Sequence, residues 1–101
     1  MDRATAIAKL GRIADAVKTR GAVSLYLYGS TARDEAGADS DLDLFIDYDP
    51  ASRFNALDLV DIKHFLEDEL QTRVDLTTRD GLHPRLREKI EKSAMRVFLA
   101  P

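Results

Sequence analysis

Three short stretches hold residues whose types and spacing suit phosphate chemistry: Tyr28-Gly29-Ser30, Asp41-Leu42-Asp43 and Val74-Asp75-Leu76. Leu42, Leu44 and Ile46 alternate with Asp41, Asp43, Phe45 and Asp47, the period of a strand, so Asp41 and Asp43 leave one face together. Asp75 lies on the polar side of a second short run, opposite Val74 and Leu76. If the two strands are neighbours, three carboxylates converge outside the core. Two carboxylates about 4 Å apart repel by roughly 4 kcal/mol at an effective dielectric near 20, so such a cluster needs a positive charge to offset it. The chain has no cysteine and only His64 and His83 as imidazoles. Oxygen donors of this kind suit Mg²⁺, Mn²⁺ or Ca²⁺, and best Mg²⁺ shared with substrate phosphates. Two ions held in this way serve phosphoryl transfer: one acidifies the attacking hydroxyl, and the other holds the phosphates and the leaving oxygen.

Tyr28-Gly29-Ser30 offers the complementary half. Gly29 permits close backbone approach to a phosphate, and Ser30 adds a hydroxyl and an N–H where a short helix begins, the end whose dipole favours an anion. Arg33, one turn further, can add a charge-assisted bond to the same polyphosphate or pair with Asp34, Glu35 or Asp39.

The elements that must position these groups follow from the pattern of apolar residues. Asp2 or Thr5 caps a first helix carrying Ile7, Leu10, Ala14 and Val17, which Gly21 ends. Ala22–Tyr28 alternates as a strand, and Ser30 is placed to cap a short helix through Ala36. Gly37–Ser40 is a turn, with the Ser40 hydroxyl forming it. A helix from Arg53 to Leu70 offers Phe54, Leu57, Val60, Phe65 and Leu66 to the core. Asp47 and Asp49 are expected in solvent, Tyr26 and Tyr28 in packing, and His64 at the surface. His83-Pro84 opens a last helix, Arg85 to Ser93, burying Leu86 and Ile90 and presenting Arg85, Arg87 and Lys89 outward. Met95–Ala100 fits a strand or a helical end equally well. The order predicts an α/β (α+β) layered domain with a small mixed β-sheet and helices packed largely on one face.

At 101 residues the chain is expected to be one domain, 1–101, and its 45% hydrophobic content suffices for a core. A net charge of −3 does not suit a protein that grips nucleic acid through its overall field. Charges interrupt the N-terminal apolar residues, which argues against a signal peptide or a membrane span and for a soluble cytoplasmic protein.

"GSTAR…SDLDLFI", with "VDL" on a later strand, resembles the signature of the nucleotidyltransferase superfamily. The likeness extends through "VDLTTRDGLHPRLREKI" and is closest to the minimal nucleotidyltransferases (MNT) of HEPN–MNT toxin–antitoxin pairs. The resemblance implies a DNA polymerase β palm-like fold and Mg²⁺-dependent transfer of AMP from ATP. It also implies an acceptor such as a tyrosine of a partner HEPN ribonuclease, which is silenced. Residue by residue, it assigns Gly29, Ser30 and Arg33 to the nucleotide, Asp41 and Asp43 to the metal, and Asp75 to the metal and the acceptor hydroxyl. Where the family's loop often has Gly after the arginine, this chain has Asp34-Glu35. Two alternatives stand beside this reading. One is a binding-only antitoxin without catalysis. The other is transfer to a small molecule, as in the aminoglycoside nucleotidyltransferases, which usually carry a further helical domain.

Overall fold

The computed structural model describes residues 1–37 and 39–100. The elements run α1 (Arg3–Arg12), α2 (Ala14–Thr19), β1 (Ala22–Tyr28), α3 (Gly29–Ala32), β2 (Leu42–Tyr48), α4 (Ala56–Leu70), β3 (Val74–Thr78), a 3₁₀ turn (Arg79–Gly81), α5 (Arg87–Ser93) and β4 (Met95–Leu99). The strands form one sheet in the order β3-β2-β1-β4. β2 and β3 are parallel, and the other two pairings are antiparallel. A parallel neighbour needs a long crossover, and α4 supplies it. The sheet is therefore mixed, as expected, and the Met95–Ala100 ambiguity resolves as an edge strand.

One face of the sheet carries Leu25, Leu27, Leu42, Leu44, Ile46, Val74 and Leu76, packed with Ala6, Leu10, Val17, Ile62, Leu66 and Leu70 of α1, α2 and α4. Asp2 caps α1 by accepting the Thr5 N–H at 2.7 Å. The single first helix expected from the sequence is broken at Ile13, whose N–H bonds back to Leu10 at 3.2 Å in a tightened turn. Gly11, with its low helix propensity, lies just before the break. α4 starts later than expected because Asn55 and Asp58 form a reciprocal capping box there. Its buried stripe is Ile62, Leu66 and Leu70, whereas Leu57 is 79% exposed and Val60 46%. α5 begins at Arg87, buries no residue, and leaves Leu86 half exposed, with Ile90 only partly covered. The expected Gly37–Ser40 turn includes Ala38, which lies outside the described residues. At its flanks the Gly37 N–H donates to Ser40 Oγ at 3.0 Å.

The opposite face holds Tyr26, Tyr28, Asp43, Phe45, Asp47 and Asp75. Phe45 is fully buried there, stacked on Tyr26 at 4.8 Å and lying under the Arg79 guanidinium at 5.0 Å. Asp47, expected in solvent, is instead the centre of an ion network. Its carboxylate accepts Arg79 Nε at 2.8 Å, Arg79 Nη2 at 2.9 Å and Ser24 Oγ at 2.6 Å. Arg79 also reaches Glu91 at 3.0 Å, which accepts Arg87 at 2.8 Å. This bidentate pair ties the chain after β3, and with it α5, to the second face.

The Arg79 hydrogen bonds hold the Asp47 carboxyl below its ordinary range, with Ser24 assisting. A lowered carboxyl pKa contributes stability that is complete above the unfolded value, near 3.9, and disappears as pH falls through the folded value. Asp47→Asn is therefore expected to cost about 1–3 kcal/mol at neutral pH. Its deficit against the parent should shrink below about pH 4. Denaturant unfolding at pH 7 and pH 3 measures both, and a deficit that does not depend on pH would contradict the network's role.

Candidate active site

The acids reach one end of the second face through strand register. Parallel pairing sets Asp43 opposite Asp75, and antiparallel pairing sets Tyr28 opposite Asp43. Asp41 lies one residue before β2 and two before Asp43, on the same side by the strand's two-residue period. Tyr28, Asp43 and Asp75 thus form a row across three strands, with Asp41 at its margin. The row is half-buried at Asp43 and exposed at Asp41 and Asp75.

Burial raises the Asp43 pKa, and the charges of Asp75 and Asp41 raise it further, while Arg33 opposes them. Burial also pushes the Tyr28 phenol up to about 12, with Asp43 and Asp75 contributing. Both shifts follow first from burial and then from the negative charge at this end of the sheet.

β1 ends directly at this charge. Gly29 opens α3 with φ +73°, in the left-handed region, and a β-carbon at Gly29 would overlap the Asp43 carboxylate. Only glycine allows both the turn and the close approach. The expected Ser30 cap is not observed: α3 begins at Gly29 with Tyr28 as its N-cap, makes no side-chain cap bond, and ends at Ala32. Ser30 stands in the first turn, where backbone amides lack intrahelical acceptors. Among the described residues no protein group takes the Ser30 hydroxyl.

The Asp34 departure has a structural reason. Asp34 adopts φ +60°, a conformation that glycine takes freely and Asp tolerates. Its Oδ1 accepts the Arg3 N–H at 3.1 Å, and Arg3 Nη1 donates to the Ala32 carbonyl at 3.4 Å. The turn beside the acids is in this way moored to the first turn of α1. Arg33 Nε pairs with Glu35 at 3.1 Å, one of the partners open to it in the sequence.

Asp41 has a partner that no local pattern in the sequence singles out. Arg73 Nε stands 3.2 Å from Asp41 Oδ1. A polar hollow of about 150 Å³ adjoins the pair, lined by Asp39, Ser40, Asp41, Thr72 and Arg73. The only local hint was a basic residue one position before the strand that carries Asp75. Tyr28, expected in packing, pairs with Asp43 through strand register, which no local pattern discloses.

Among the described residues no three acidic or imidazole side chains are gathered as a ready-made ion site. Register places Asp43 opposite Asp75 at one sheet end, and the charges of Asp75 and Asp41 both act on Asp43. The donor set nevertheless fits a hard divalent cation. All donors are carboxylate oxygens, the bare Gly29 lets the Asp43 carboxylate lie directly against the turn, and the Arg73 guanidinium shows that Asp41 is open to a cation.

Comparison with known proteins identifies the family and the fold. The family model described as a nucleotidyltransferase domain matches residues 10–97. A Methanocaldococcus jannaschii protein named as a candidate protein adenylyltransferase is 38% identical over 71 residues, covering 68% of this chain and 69% of that protein. A solved structure of a candidate minimal nucleotidyltransferase has a TM-score of 0.80 at 38% identity, over 94% of this chain and 95% of its own. A chain from the complex of tri-AMPylated Shewanella oneidensis HEPN toxin with MNT antitoxin shares the fold, with a TM-score of 0.66 at 15% identity. That match spans 91% of this chain and 71% of the other.

Proposed function

The chain belongs to the nucleotidyltransferase domain family and has its polymerase β palm-like fold, and from that premise we propose that it moves AMP from ATP to a tyrosine hydroxyl of a HEPN-type partner, with Mg²⁺. The observation that carries the reading is the row of Asp43 and Asp75 in register beside the Gly29 turn. Candidate protein adenylyltransferase relatives support a protein acceptor, and the HEPN toxin–MNT antitoxin complex supports the kind of partner.

Asp41, Asp43 and Asp75 would hold the cation; when bound, it lowers the pKa of the attacking hydroxyl and offsets the charge of the triphosphate. The Gly29-Ser30 turn binds the phosphates through backbone amides and the Ser30 hydroxyl. Arg33 exchanges Glu35 for a phosphate oxygen. Asp75, on the outer strand, orients the acceptor and receives its proton. The acceptor oxygen bonds to the α-phosphorus as the bond to the bridging oxygen of the β-phosphate breaks, and pyrophosphate leaves. Catalysis here is chiefly positioning and charge stabilisation.

Ser30→Ala is expected to weaken ATP binding roughly three- to tenfold with little change in melting temperature, because the hydroxyl serves ligand and not fold. Equal affinities in calorimetric titrations of the two proteins would remove Ser30 from the site.

The function itself is tested by mixing the purified protein with the product of the neighbouring gene, Mg²⁺ and ATP labelled at the α-phosphate. Label on a partner tyrosine, absent with EDTA, is the expected result. A stoichiometric complex that takes up no label would instead indicate neutralisation by binding alone.

A further inference from the structure

We propose that Arg73 is a displaceable counter-ion of the acid row, which a divalent cation must dislodge from Asp41 in order to bind. The proposal rests on reading Asp41, Asp43 and Asp75 as a cation site.

The two residues are fixed side by side by the backbone. Asp41 immediately precedes β2, Arg73 immediately precedes β3, and the parallel register aligns Leu42 with Val74. The Leu42 N–H donates to the Arg73 carbonyl at 3.0 Å, locking this end of the ladder. The guanidinium is thereby delivered to Asp41, 3.2 Å away, without any burial of its own: the Arg73 side chain is 77% exposed. The other arginine near the row, Arg33, is engaged by Glu35 at 3.1 Å. Among the described residues Arg73 is thus the cation that directly answers the Asp41 charge.

Such a contact suits exchange. An exposed ion pair is weakly held, because solvent screens it and two long side chains lose freedom in making it. Its positive charge still lies close enough to oppose a second cation arriving at the same carboxylate. The adjoining polar hollow leaves room beside the pair. Arg73 therefore acts as a positioning residue: it limits repulsion among the acids in the free protein and raises the cation concentration needed to load the site.

The test is Mn²⁺ binding to the full chain without nucleotide, followed by paramagnetic resonance. Arg73→Gln is expected to bind Mn²⁺ about three- to tenfold more tightly than the parent, since it removes both a competitor and a repelling charge. Arg73→Lys keeps the charge and should bind like the parent, which separates charge from loss of side-chain packing. Asp43→Asn should lose Mn²⁺ binding in either background. Unchanged or weaker binding by Arg73→Gln, or an equal gain in Arg73→Lys, overturns the proposal while leaving the cation site intact. No Mn²⁺ binding by parent and variants alike overturns the proposal together with the site reading.

Discussion

Asp43→Asn is expected to reduce nucleotidyl transfer at least about a thousandfold while leaving the protein as stable as the parent or more so. In the proposed reaction the two effects have opposite signs, because the same carboxylate serves chemistry and burdens the fold. For catalysis it is the inner member of the acid row, half-buried, opposite Asp75 and against the Gly29 turn. For folding it is a cost. Burial and the charges of Asp75 and Asp41 raise its pKa above the ordinary carboxylate value. A raised carboxyl pKa means that the folded protein prefers the protonated form, so its contribution is best below the unfolded pKa and declines as pH rises through the folded one. Asparagine matches the shape of aspartate, carries no charge, and removes that penalty at neutral pH. Thermal unfolding beside a label-transfer assay measures both halves. A clear fall in melting temperature would contradict the electrostatic account of Asp43, and retained activity would contradict its place in the chemistry.

Gly29→Ala is expected to lose stability and activity together. The φ of +73° costs a residue with a β-carbon about 1–2 kcal/mol. The new methyl also meets the Asp43 carboxylate, which must then shift. Overpacking of this kind costs a further 1–3 kcal/mol or so. For a domain near this size the sum lowers the melting temperature by roughly 10–20 °C. What survives folding should still fail in transfer, because relief of the overlap moves Asp43 out of the row. A Gly29→Ala protein that melts with the parent and transfers AMP normally would mean that the turn is not held against Asp43. Together the variants separate two roles at one contact: Asp43→Asn removes the charge and keeps the geometry, whereas Gly29→Ala keeps the charge and disturbs the geometry.

The strands and their faces were legible because a two-residue period fixes sidedness locally, as Leu42, Leu44 and Ile46 against Asp43, Phe45 and Asp47 illustrate. Helix faces were less so. α4 offers more than one apolar stripe, and Leu57 and Val60 fit a helical period as well as Ile62 and Leu70 do; only the position of the sheet decides between them. Asp47 shows the limit most clearly. Its alternation put it on the polar face, correctly, but its burial depends on Arg79, 32 residues further along, folding back across Phe45 and Tyr26. The pairing of Arg73 with Asp41 has the same origin, since parallel register brings together residues that no local pattern connects. At the acid row the sequence supplied the residue types, and strand order supplied their arrangement. The Asp34 departure was visible as a residue change, yet its meaning lay in a backbone angle and a bond to the first turn of α1.

The central claim is that Asp41, Asp43 and Asp75, facing the Gly29 turn, hold a divalent cation together with a nucleoside triphosphate. Calorimetric titration with AMP-PNP in the presence of Mg²⁺ tests it most directly, comparing the parent protein with Asp43→Asn. Saturable heat for the parent, abolished by EDTA and by the substitution, is the predicted result. Equal heats for the two proteins, or none for either, would contradict it.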